Sequence, residues 1–155
     1  MTDTANPTSV QQDTAQQDTA PRLRLVIARV ARQLRQNVDV DTGLTTSLLS
    51  ALATVDRIGP VTLGELAAAE RVQPPSMTRV VAKLEERGLV VRNVDAQDRR
   101  VARLEVSADG HRLLHRSRTR KNAFLAQRLR NLTSDELAAL DAALPVLERI
   151  AEEGR

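Results

Sequence analysis

Cysteine is absent from this chain, which excludes disulfides, thiol catalysis and thiol redox sensing and fits a reducing compartment. Tryptophan and tyrosine are absent too, and Phe124 is the only phenylalanine. A core without aromatic rings must be built from leucine, valine and alanine, which favours packed helices over a β-sandwich. No apolar run approaches the roughly 18 residues of a membrane span. The start of the chain lacks the basic-then-apolar order of a signal peptide. A soluble, cytoplasmic protein with no membrane partner is therefore expected. Lysine is scarce, with only Lys83 and Lys121, while arginine, alanine and valine abound, a usage typical of high-GC bacterial coding. No glycine-rich phosphate loop occurs.

What is present suits one domain with extensions: 155 residues, of which 41% are apolar. The net charge of +3 hides a segregation. Residues 1–20 hold three acids and no base. Residues 71–121 hold thirteen bases against six acids, and residues 132–155 hold six acids against two bases. The basic middle is a candidate polyanion surface and the acidic end is not.

Residues 1–20, rich in Thr, Gln, Asp and Ala with "QQDTA" written twice, have too little apolar content to repay ordering and read as a disordered tail. From Pro21, the stripe Leu23, Ile27, Val30 and Leu34 predicts a helix that fades between Asn37 and Gly43. A second helix follows from Thr45 to "RIGP" (57–60). "TLGE" (62–65) is a capping box opening a short third helix that runs to about Glu70. "QPPSMTRVVAKLEERG" (73–88) is a fourth, with prolines in its first turn and Gly88 as terminator. Met77, Val80, Val81 and Leu84 form its inner face. Pro75, Arg79, Ala82 and Lys83 point outward, flanked by Ser76 and Thr78. Residues 89–92 and 101–106 read as strands around a long loop. Ser107 caps a fifth helix to about Arg130. "TSDE" (133–136) opens a sixth, carrying Leu137, Leu140, Leu144 and Leu147 and kinked at Pro145.

Short helices, a tight link, a helix with a small polar outer face, then two strands and a basic loop spell a winged helix-turn-helix. A recognition helix needs small or hydrogen-bonding residues outward so that its backbone can lie close in the major groove. Pro75, Ser76, Thr78 and Arg79 meet that need. The N-terminus of this helix, with free amides and a positive dipole end, should also attract phosphate. In "DAQDRRVARLEV" (95–106), the paired Arg99 and Arg100 at a hairpin tip can reach a minor groove, whose negative potential favours guanidinium. Asp98 can aim Arg100 by a charge-assisted bond. Thr62, Arg87 and Arg103 are candidate phosphate contacts, and Lys83 adds to the field.

Residues 72–110, "VQPPSMTRVVAKLEERGLVVRNVDAQDRRVARLEVSADG", resemble the core signature of MarR-type transcriptional regulators. The helix ending in "LEERGLV", the wing with "DRR" and the strand entering "VSADG" carry the resemblance. Val106-Ser107 departs mildly from the Leu-Thr more usual there. With its flanking helices, the resemblance covers roughly 21–152. It implies a homodimer whose first, fifth and sixth helices interlock, using Leu23, Ile27, Val30, Leu137, Leu140, Leu144 and Leu147. It also implies minor-groove entry by Arg100, a wing steadied by Asp98, and a major-groove surface at Ser76, Thr78 and Arg79. A small-molecule effector is a further implied partner.

The expected architecture is therefore mainly α with a small β-hairpin wing: a winged helix-turn-helix plus N- and C-terminal dimerisation helices. Its expected boundaries are a tail at 1–20, a dimerisation helix and linker at 21–44, the DNA-binding domain at 45–106 and dimerisation helices at 107–155. The expected function is a homodimeric repressor that binds double-stranded DNA at a pseudo-palindromic operator and is released by a small ligand. Neither enzymatic activity nor a cofactor is expected: Ser107, Asp109 and His111 crowd one helix start and do not form a triad. His111 and His115 have the four-residue spacing that can ligate zinc. No carboxylate pattern surrounds them, so no metal site is assigned. The alternatives left open are a metal-responsive regulator using that pair and a winged-helix protein-interaction module.

Overall fold

A computed structural model describes the backbone of residues 7–94, 98 and 101–152, and the side chains of 18–36, 43–94, 98 and 101–152. The chain runs α1 (Pro7–Thr42), α2 (Thr46–Ile58), β1 (Val61–Thr62), α3 (Leu63–Ala69), α4 (Pro74–Glu86), β2 (Val90–Val94), β3 (Ala102–Val106), α5 (Ala108–Leu129) and α6 (Ser134–Glu152). The architecture is mostly helical with one small antiparallel sheet, as the sequence pattern implies.

The helix starts follow from capping chemistry. Thr45 accepts from the amide of Leu48, and Ser107 accepts from that of Gly110. Thr62 and Thr133 each close a reciprocal box with the glutamate three residues on. Gly88, at φ +66, ends α4 as expected, its amide bonding the carbonyl of Glu85 while that of Leu89 bonds Leu84.

Two elements differ from the sequence reading. The first helix begins at Pro7, so residues 7–20, expected as a disordered tail, continue it, and Pro21 lies inside the helix instead of opening it. Once a helix is nucleated downstream, each added residue costs little, and the alanines and glutamines of this stretch are good helix formers. The second difference is β1, two residues too short to show an alternation. It pairs with β3 through Val61↔Leu104 and Thr62↔Arg103, so the sheet order is β1-β3-β2 and the hairpin is stitched to the helical lobe. The sixth helix continues through Pro145.

The core lies where α2, α3, α4, the sheet and the first turns of α5 meet. Leu52, Leu66, Leu84, Leu104 and Val81 are its most enclosed large side chains, and Met77, Val55 and Leu114 pack with them. Outside this lobe, α1 packs along α5. No residue of α6 is buried. No described helix is long and apolar enough to cross a membrane.

Candidate nucleic-acid interface

Helix α4 divides as its periodicity requires. Met77, Val81 and Leu84 are buried, while Pro75, Ser76, Thr78, Arg79, Ala82 and Lys83 are exposed. Its placement depends on contacts that sequence spacing does not reveal. Thr54, almost fully buried in α2, donates to Glu70 Oε1 at 2.5 Å, and Ser50 donates to Oε2 at 2.8 Å. Glu70 caps α3, and Arg71 after it takes a left-handed φ of 54°. The amides of Arg71 and Val72 bond back to Ala68 and Ala67. The α3–α4 turn is thus pinned to α2 just before α4 starts.

The N-terminus of α4 corrects one expectation. Pro74 and Pro75 have no amide hydrogen, and the amides of Ser76 and Met77 both donate to the Gln73 carbonyl, at 3.0 and 3.2 Å. Within Pro74–Met77 this end of the helix keeps its dipole but has no amide left over for phosphate. The hydroxyl of Thr78 donates to the Pro74 carbonyl at 2.9 Å, which turns its oxygen outward as an acceptor. Among the groove-facing candidates, Ser76 brings a hydroxyl and Arg79 and Lys83 bring positive charge.

Several basic side chains are already engaged. Arg92 makes a two-pronged bridge from β2 to Glu85 of α4, at 3.0 and 3.1 Å, and that partnership pushes its pKa further upward. Arg87 donates to the carbonyl of Gly43 at 2.7 Å, tying the end of α4 to the loop before α2. Arg103 lies 3.9 Å from Glu65 and reaches the Pro60 carbonyl. Thr62 commits both its amide and its hydroxyl hydrogen to Glu65, leaving neither donor for the phosphate contact expected of it. Those two bonds hold the Glu65 carboxyl below its ordinary value, and Thr133 does the same for Glu136.

The wing is a twisted hairpin in register from Val90↔Val106 to Val94↔Ala102. Beyond it, Asp98 is exposed and its carbonyl accepts from the amide of Val101 at 2.9 Å. Arg99 and Arg100 lie outside the described residues.

His111 and His115 are exposed on α5, and among the described residues no group of three or more metal-ligating side chains forms. His111 instead faces Asp56 of α2, with 2.9 Å between Nδ1 and Oδ1. Ser107 donates to the Gly88 carbonyl at 2.6 Å, a structural commitment. Of the apolar candidates, Leu23 and Leu147 are half-buried, whereas Ile27, Val30, Leu137, Leu140 and Leu144 are exposed. Leu129, Leu137, Leu140 and Leu144 line an open groove of about 500 Å³.

Residues 44–102 match the MarR family model. An uncharacterized HTH-type transcriptional regulator of Mycobacterium leprae is 41% identical over 134 residues, covering 86% of this chain and 93% of that protein. The HTH-type transcriptional repressor MdtR of Bacillus subtilis is 28% identical over 95 residues, 61% of each chain. Among solved structures, a protein of Pseudomonas aeruginosa described as a transcriptional regulator superposes with a TM-score of 0.75 at 30% identity, over 95% of this chain and 98% of that one. A mutant of MepR from Staphylococcus aureus bound to an oligodeoxyribonucleotide has a TM-score of 0.67 over 86% of this chain and 97% of its own, a likeness of fold at 18% identity.

Proposed function

The chain belongs to the MarR family, as a transcriptional regulator with a DNA-binding winged helix, and from that premise we propose that it is a homodimeric repressor of a pseudo-palindromic operator, released by a small ligand. The observation that carries the DNA-binding mode is the two-faced α4. Its buried side fixes it in the lobe, and its exposed side offers Pro75, Ser76, Thr78, Arg79 and Lys83, small groups and cations at the spacing of one groove-facing surface. Arg79 reads base edges or the adjoining phosphates, and Lys83 adds field. Asp98, Arg99 and Arg100 form the wing, with Arg100 in the minor groove. Arg87 and Arg103 lie near enough to add phosphate contacts with whatever donors their present partners leave.

The dimer reading is supported by apolar surface without a partner in the single chain. Ile27 and Val30 on α1 and Leu137, Leu140, Leu144 and Ile150 on α6 are each more than a third exposed. A lone helix of this length is marginal in water, so α6 needs another surface to cover its stripe. Repression is supported by the relative named as a repressor, and ligand release by family membership.

The test is fluorescence anisotropy on the DNA upstream of the protein's own gene, over a salt series. Wild type should bind tightly and resist random-sequence competitor, with affinity falling steeply as salt rises. Arg79→Ala and Arg100→Ala should each weaken binding by about 1–3 kcal/mol, roughly five- to 150-fold. Equal, weak binding to operator and random DNA by all three proteins would overturn the reading.

A further inference from the structure

Helix α5 leaves the DNA-binding lobe at a definable point. Its buried residues are Gly110, Leu114 and Ser117, and none follows Ser117. Directly at that exit stands Arg118, whose guanidinium donates to Oδ2 of Asp56 at 2.5 Å. The other carboxylate oxygen of Asp56 is 2.9 Å from Nδ1 of His111, two turns earlier on the same helix. Asp56 belongs to α2, and its side chain is only 14% exposed, so it is held in place by the lobe, whereas Arg118 and His111 are mostly exposed. One fixed carboxylate therefore grips α5 at two places seven residues apart.

We propose that Asp56 is a positioning residue for DNA binding: by clamping His111 and Arg118 it sets the angle at which α5 leaves the lobe, and with it the distance between the two recognition helices of the dimer. The inference rests on the dimeric reading above. The lever is long enough to matter. At 1.5 Å per residue, the stretch from Thr119 to Leu129 is roughly 16 Å long, and a tilt of about 10° moves its end by about 3 Å. That displacement is close to one base-pair step of about 3.4 Å. A clamp of this kind does little for folding, because ion pairs with one exposed partner contribute about 0–1 kcal/mol. Its effect falls on geometry. A lobe free to rock must be ordered when the second half-site is engaged, and that entropy is lost from affinity.

The test uses the full-length chain and the duplex that wild type selects from a random-sequence library, together with two versions whose half-site spacing is lengthened or shortened by one base pair. Asp56→Asn and Arg118→Gln should each lower affinity for the selected duplex by roughly threefold to tenfold and reduce discrimination against the altered spacings by a similar factor. Molecular mass and thermal midpoint should stay as in wild type. The pair separates positioning from electrostatics: Asp56→Asn removes a negative charge and by field alone would strengthen DNA binding, whereas Arg118→Gln removes a positive charge and would weaken it. A common loss concentrated on the selected spacing supports the clamp. Opposite changes, or equal changes on all three duplexes, overturn it. Should Asp56→Asn fail to fold, the exposed Arg118→Gln and His111→Gln carry the same expectation. A wild type that is monomeric on DNA, or indifferent to spacing, would overturn the dimeric reading and the clamp with it. A dimeric wild type whose spacing preference the variants retain would overturn the clamp alone.

Discussion

Gly110 shows how much one missing methyl group decides. A Cβ at this position would press against the backbone carbonyl of Leu89 and lie 2.6 Å from Cγ1 of Val106. The Leu89 carbonyl, just before β2 and held by the amide of Ser107, cannot swing aside as a flexible side chain would, so the first turn of α5 would have to lift off the lobe. Alanine is favoured over glycine within a helix by about 1 kcal/mol, and the clash exceeds that gain. Gly110→Ala is expected to destabilise the fold by about 1–3 kcal/mol, read as a fall of several degrees in Tm by calorimetry. The glycine was visible in "VSADG", but only as part of a resemblance. The need for it comes from Leu89, which is remote in sequence. The same holds for Glu70, gripped by Ser50 and Thr54, and for Asp56, held by His111 and Arg118.

At the scale of elements, local chemistry was legible and its limits were physical. Thr45, Thr62, Ser107 and Thr133 stand at helix starts because a short hydroxyl satisfies a nearby amide, an interaction needing only three residues. The two boxes carry a pH signature. Bonds from Thr62 and Thr133 lower the carboxyl pKa of Glu65 and Glu136 below the ordinary 4.5. Their stabilisation is therefore fully present above 4.5 and is lost as pH falls through the depressed folded values. In thermal melts from pH 7 down to pH 3, Glu65→Gln and Glu136→Gln should sit below wild type near neutrality and converge on it in acid. A constant gap at every pH would count against the carboxylate's role. The elements missed were those without a local signature. Strand β1 is two residues whose only reason to be extended is β3 beside them. The start of α1 at Pro7 follows Asn6-Pro7, a residue pair typical of helix starts, but the polar stretch between it and Pro21 has no apolar stripe and is helical by propagation.

At the scale of the molecule, the basic surface and the exposed apolar surface of α6 lie on different elements. The basic middle of the chain runs through α4, the hairpin and the first half of α5, while α6 carries acids together with the exposed Leu137, Leu140 and Leu144, Asp141 lining the same groove as these leucines. The double substitution Leu140→Glu, Leu144→Glu should convert a dimer to a monomer, measured by light scattering coupled to gel filtration. The lobe itself should keep its stability, since neither residue is buried in it. Operator affinity should fall by more than tenfold, because two half-sites bound by one dimer become two independent events. A variant that stays dimeric would place the interface elsewhere. What the sequence alone determined is everything governed by short-range periodicity and composition: helix faces, caps, the order of helix-turn-helix and wing, and the basic stretch. What only the tertiary structure decided is everything requiring residues far apart to meet. It tied Arg87 to Gly43 and Glu70 to Ser50 and Thr54, added β1 to the sheet, and set Asp56 between two turns of α5. A chain's own periodicity fixes which face turns inward, but the identity of the neighbour on that face is set by packing, which no local pattern encodes.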